Sequence, residues 1–119
     1  MMAPGKYDMR IYAGATFAKT LVWKMGTPPE PVNLTGAAAR LSVRSNPGDP
    51  LPAIELTTAN LRIEIPVGTD GAFTLRLTDE ETAALKFLRA EYQLEIEMPD
   101  GVVRRLLEGM VLVSPEITR

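Results

Sequence analysis

Apolar and polar residues alternate one for one in four separate stretches of this 119-residue chain, and an α-helix cannot use a period of two. In "AAARLSVRS" Ala39, Leu41 and Val43 share one face, while Arg40, Ser42 and Arg44 share the other. "LRIEI" sets Leu61, Ile63 and Ile65 against Arg62 and Glu64. "FTLRLT" sets Phe73, Leu75 and Leu77 inward, with Thr74, Arg76 and Thr78 outward. "YQLEIEM" repeats the scheme with Tyr92, Leu94, Ile96 and Met98 against Gln93, Glu95 and Glu97. Such alternation marks antiparallel strands with one buried and one wetted face.

Turn residues punctuate the pattern. "GTPPEP" (26–31) and "NPGDP" (46–50) restrict or free φ and interrupt ladders, and "TDG" (69–71) and "PDG" (99–101) carry the Asp-Gly pair of tight hairpins. The resulting strands are predicted near 7–12, 16–24, 31–35, 38–44, 53–57, 61–65, 72–78, 91–98, 102–108 and 110–113. Short strands at this spacing suggest a sandwich or a small barrel. No linker divides them, so residues 1–119 are expected to form one domain, with 1–6 as a flexible lead. A chain of this length buries about two-thirds of its unfolded surface, enough for a core without disulfides or metal.

One segment departs from the period. "TDEETAALKFL" places Thr78 as an N-cap and Glu81 three residues on, the capping-box spacing. Asp79, Glu80 and Glu81 suit the positive helix end, and Ala83 and Ala84 favour helix, so one short helix is predicted over about 79–88. Leu85 and Leu88 would face inward as it crosses between sheets. Tyr92 then opens a strand, with Leu94 two positions on. Immunoglobulin-like sandwiches place a "tyrosine corner" there, its hydroxyl bonded back to the backbone. A tyrosine that merely completes a core fits the same pattern. The fold predicted is an all-β, immunoglobulin-like antiparallel β-sandwich with one short helix.

The chain has no histidine and no cysteine. The usual nucleophile–imidazole arrangements and the usual zinc sites need those residues. No glycine-rich phosphate loop follows a strand. Glu55, Glu64, Glu95 and Glu97 could in principle supply a carboxylate pair for glycoside hydrolysis. They sit on the polar phase of the strands with Arg40, Arg44, Arg62, Arg76 and Arg104, so cross-strand pairing is the reading preferred. Asp49, Asp70 and Asp100 adjoin Gly or Pro and read as turn residues rather than calcium ligands. The expectation is a non-enzyme with no catalytic, cofactor-binding or metal-ligating residues.

Thirteen basic and fifteen acidic residues, mixed along the chain, give a net charge of −2 and no basic stripe for nucleic acid. No apolar run approaches the ~20 residues of a membrane span, and "MMAPGKYD" lacks the core of a signal peptide. Synthesis and first residence in the cytoplasm are therefore expected. Trp23, the only tryptophan, could dock a sugar ring or a partner, although core or edge packing is preferred. Met25, Pro28 and Pro29 belong to an exposed loop and are candidate interface residues.

The order of these features resembles the small virion-associated proteins of tailed bacteriophages and prophages. In "YDMRIYAGATFAKTLVWKMGTPPEPVNLTGAAARLSVRS" the carriers are Gly14 to Phe17, Trp23, Pro31, Val32 to Gly36, and Arg40 with Arg44. The ending "RRLLEGMVLVSPEITR" looks like the same group's close, and the resemblance runs from Tyr7 to Arg119. The group is also similar to the immunoglobulin-like N-terminal domain of phage baseplate proteins. The resemblance implies a non-enzymatic virion structural or tail-assembly protein, made in the cytoplasm and then carried in the phage particle. Its partners would be other virion or tail proteins, with self-association as one option, and neither nucleic acid nor membrane. Ile117 and Arg119, beyond Pro115, are further interface candidates. The competing expectation is a carbohydrate- or receptor-binding module for host attachment.

Overall fold

Three of the four alternating stretches form strands that turn their apolar sets inward; in the fourth only Ile63 is buried, within a two-residue strand. A computed structural model describes residues 5–46 and 48–115. Its strands are β1 (Gly5–Lys6), β2 (Met9–Tyr12), β3 (Phe17–Val22), β4 (Lys24–Met25), β5 (Glu30–Pro31), β6 (Ala38–Arg44), β7 (Ile54–Thr57), β8 (Ile63–Glu64), β9 (Ala72–Leu77), β10 (Arg89–Glu97) and β11 (Val103–Ser114). One helix, α1 (Asp79–Ala83), joins β9 to β10.

The first sheet runs β1-β11-β10-β6-β7, with β2 following β1 along β11; the second runs β3-β9-β8. Their inner faces meet in one core. Met9, Leu41, Val43, Tyr92, Leu94, Ile96 and Val111 enter it from the first sheet, and Ile63, Phe73, Leu75 and Leu77 from the second. Burying one such side chain stabilises by about 1.5–3 kcal/mol, whereas the exposed Arg40–Glu95 pair contributes under about 1 kcal/mol. The apolar phase therefore sets the register, because a slip by one residue would turn the whole set to water.

This strand order is that of an immunoglobulin-like sandwich: β3, β9 and β8 take the places of strands B, E and D, while β11, β10 and β6 take those of G, F and C. β7 adds a strand beside β6, as in variable-type domains. The sandwich was expected to be antiparallel, and its pairings are so except at the N-terminal strands. β1 and β2 pair in parallel with β11. Gly5 and Lys6, expected in a flexible lead, thus form a strand.

Several predicted boundaries shift for identifiable reasons. The helix has its capping box, with Glu81 N–H donating to Thr78 Oγ1 at 3.1 Å and Thr78 N–H donating to Glu81 Oε1 at 2.9 Å. It ends at Ala83 rather than 88, because Val113 N–H bonds the Leu88 carbonyl and draws that stretch into the sheet. Leu85 packs on the core as expected, but Phe87 takes the inward place assigned to Leu88, which is 66% exposed. Leu61 also stands outside, 80% exposed, since it ends a Thr58–Leu61 turn with φ of 66°.

The strand expected over 31–35 shrinks to β5, because the Asn33 side chain accepts from Thr35 N–H and turns the chain. The strand expected over 16–24 divides at Trp23 into β3 and β4. By contrast, 102–108 and 110–113 merge into the continuous β11. Gly109 does not break it. A side chain there would collide with the Tyr7 carbonyl, so the glycine admits the crossing from β1 to β2.

Candidate functional site

Among the described residues, the first four residues of β11 have a neighbour on one side only. β10 pairs along β11 from Val103 to Leu112, but β1 and β2 reach only from Leu107 to Ser114. Among the described residues, the stretch from Val103 to Leu106 therefore shows an open edge. Among the described residues β3 is likewise an edge strand, paired only with β9. Between these two edges lies a groove of about 1250 Å³.

Leu21, Val22, Trp23 and Met25 form one wall, with buried Phe73 among the lining residues. Val102, Val103, Leu106 and Leu107 form the other, continued by Gly5 to Tyr7. Val22, Val102 and Val103 remain 51%, 45% and 53% exposed, so the lining carries apolar surface that the fold itself does not cover.

Two local devices shape the walls. Trp23 is held by its main chain, with its N–H donating to Gly71 O at 2.9 Å and its carbonyl accepting from Val32 N–H at 3.0 Å. Gly71 makes this approach possible. Its φ is 73°, and a Cβ would stand 2.5 Å from the Trp23 oxygen. The other device is a β-bulge. Leu107 lies opposite Leu94 and Arg105 opposite Glu95, leaving Leu106 as the extra residue.

The bulge resets the alternation. Directly opposed residues on antiparallel strands share a face. Arg104 lies opposite the buried Ile96, so it turns to the inner side and lines the groove mouth. This corrects the expectation that Arg104 would stand on the polar phase with the other arginines. "VVRRLL", residues 102–107, is a run of doublets that strict alternation cannot accommodate, and that run was the available signal.

The groove rim is basic although the whole chain is slightly acidic. Lys24, Arg104 and Arg105 make no ion pair among the described residues. Glu95, the acidic residue in the lining, is bound to Arg40 at 3.0 Å. Lys6 pairs with Glu108, whose carboxyl is held below its usual range, first by that hydrogen bond. Lys19 places its ammonium 5.5 Å from the Tyr7 ring centre, a cation–π contact beside the groove.

The expected carboxylate candidates do not converge. Glu95 pairs with Arg40 and Glu64 with Arg76 at 3.2 Å, which is the surface pairing preferred from the sequence, whereas Glu55 accepts from Ser42 at 3.1 Å. Arg62 instead reaches Glu81 of α1. Asp70 and Asp100 each accept a hydrogen bond from the main chain two residues on, at 3.0 Å, as turn residues do. Asp49 closes its own turn through Asn46 N–H at 3.2 Å.

Of the interface candidates, Met25 lines the groove, whereas Pro28 and Pro29 are exposed in the β4–β5 turn and do not line it. Ile117 and Arg119 lie outside the described residues. Sequence reasoning passed over Lys24, Val102, Val103, Leu106 and Leu107, which the tertiary fold brings together with Met25.

No known protein-family profile matches this sequence, and no curated protein matches it. Comparison with solved structures finds Drosophila OTK, extracellular domains 3–5, at 13% identity and a TM-score of 0.36. The match covers 89% of this chain and 32% of that longer one. At that score the likeness adds nothing to the strand order, on which the immunoglobulin-like assignment rests.

Proposed function

We propose that this protein is a non-enzymatic assembly module that works by holding other proteins, and that its setting is a phage or prophage virion or tail. The observation that carries the contact role is the groove beside β11, where an apolar wall coincides, among the described residues, with a strand edge that has no neighbour and cations that form no ion pair. Protein interfaces combine these features, with an apolar centre and a polar rim. The virion setting draws its support from the sequence resemblance between Tyr7 and Arg119.

The test is quantitative mass spectrometry of purified particles from the source phage or induced prophage. The reading expects this chain at a fixed ratio to the tail or capsid proteins. Particles of normal composition that lack it would overturn the virion setting. Binding to arrayed glycans, weakened when the groove is altered, would transfer the groove to the host-attachment reading.

A further inference from the structure

We infer that the open edge of β11 at Val103–Leu106 receives an extended segment of a partner protein as an added strand, with large apolar and acidic residues alternating along it. This rests on the contact role proposed above and names its partner chemistry.

The main chain supplies the first argument. Strand addition needs backbone groups facing away from the existing neighbour, and β10 occupies only one side of this stretch. β1, with Gly5 opposite Leu107, covers the next part of β11, and among the described residues nothing pairs with this part on that side. The bulge at Leu106 fits the same function, since bulges re-aim side chains near sites and sheet edges.

Side chains supply the second. In an added strand, successive residues face opposite sides. One set would enter the groove against Trp23, Met25 and Leu107; the other would lie outside it. Lys24, Arg104 and Arg105 rim the groove and form no ion pair among the described residues, although Arg105 lies near enough to Glu108 to help hold its carboxyl low, and Glu95 is already bound to Arg40. Carboxylates on the outer set share the face of Arg105, and Lys24 and the inward Arg104 add positive field at the groove mouth, so acids are favoured there and lysines repelled. Pro4, directly before β1, cannot donate to a ladder, and residues 1–4 carry no acid to meet this rim, so an acidic partner segment is the occupant inferred.

Trp23 lines the groove and is the only tryptophan, so its fluorescence reports occupancy directly. The probe is a capped synthetic heptapeptide alternating Leu or Val with Glu, titrated into the full-length protein. Comparators are the Lys-for-Glu analogue and two versions carrying N-methyl groups on one or the other alternate set of amides. The glutamate peptide should bind roughly tenfold more tightly than the lysine analogue, and Arg104→Glu with Arg105→Glu should remove that preference. One N-methylated set should abolish binding and the other should leave it intact, because a strand offers its donors on alternate sides.

Equal binding of both N-methylated peptides overturns strand addition. Binding that ignores peptide charge overturns the acidic partner. A flat titration that becomes positive on deletion of residues 1–4 assigns the groove to the chain's own lead, and a titration flat in both forms overturns the inference outright. The mass-spectrometric test is independent. A flat titration with the chain present in particles removes this inference alone, and a normal titration with the chain absent removes the virion setting alone.

Discussion

The Tyr92 hydroxyl donates to the main-chain oxygen of Tyr7, joining strand β10 to the crossing between β1 and β2 across 85 positions of sequence. The tyrosine corner expected at the start of this strand bonds back to nearby backbone. Here Tyr92 lies inside β10, which begins at Arg89, and its hydroxyl ties down the N-terminal strands instead. Gly109 lets Tyr7 approach β11 closely. Asp8 assists by accepting from Met110 N–H at 2.9 Å where β1 has ended and β2 has not begun.

Tyr92→Phe should cost about 1–2 kcal/mol at neutral pH, since it removes one buried hydrogen bond and leaves the Tyr7 oxygen unpaired. Burial, followed by the nearby Asp8 and Tyr7, pushes the Tyr92 hydroxyl well above the ordinary value of 10.0. A raised folded-state value contributes stability that is intact below pH 10 and is lost as the pH climbs toward the folded value. Denaturant titrations across the alkaline range should therefore show a shallower loss for Tyr92→Phe than for the native chain.

Gly71→Ala should destabilise by about 1–3 kcal/mol and change the Trp23 emission. The new methyl would face the Trp23 oxygen at 2.5 Å and the Val32 nitrogen at 3.1 Å, both backbone atoms, from a left-handed conformation. Thermal unfolding and the fluorescence spectrum of the folded protein check this together.

Thr82 is fully buried, and its hydroxyl accepts from Gly14 N–H at 3.0 Å while the Ala15 oxygen stands at 2.9 Å. It fastens α1 to the turn between β2 and β3. Thr82→Val keeps the volume and strands both groups, so a loss of about 1–3 kcal/mol is expected, with Thr82→Ser milder. Hydrogen exchange at the Gly14 amide should accelerate in the valine variant.

The Glu81 carboxyl is held below its ordinary 4.5, first by the Thr78 backbone N–H; partial burial opposes this and Arg62 adds to it. A lowered value contributes stability that is present above pH 4.5 and is lost as the pH falls through the folded value. Glu81→Gln should flatten the acid limb of a stability-against-pH curve without altering its alkaline limb.

Local pattern made much of the fold legible. The alternating sets around Leu41, Phe73 and Leu94 are buried as predicted, and Thr78 with Glu81 caps a real helix. Asp-Gly turns fall at Gly71 and Gly101, both at positive φ. These features depend on neighbours within a few positions, and period, cap and turn are all visible at that range.

The groove was not legible in the same way, although Met25 on one wall had been singled out. Its members lie near positions 5–7, 21–25 and 102–107, and nothing local relates them. The bulge that turns Arg104 inward is a matter of register between two strands, signalled only by the doublets of "VVRRLL".

The amino-acid sequence by itself determined a β-sandwich with a capped helix, because hydrophobic period and turn chemistry act over short distances. Only the tertiary structure decided that β1 and β2 run parallel to β11, that Tyr92 reaches Tyr7, and that Val103–Leu106 has a neighbour on one side alone among the described residues. Strand neighbours and registers are chosen by packing between segments far apart in the chain, and that choice is made by the whole core at once.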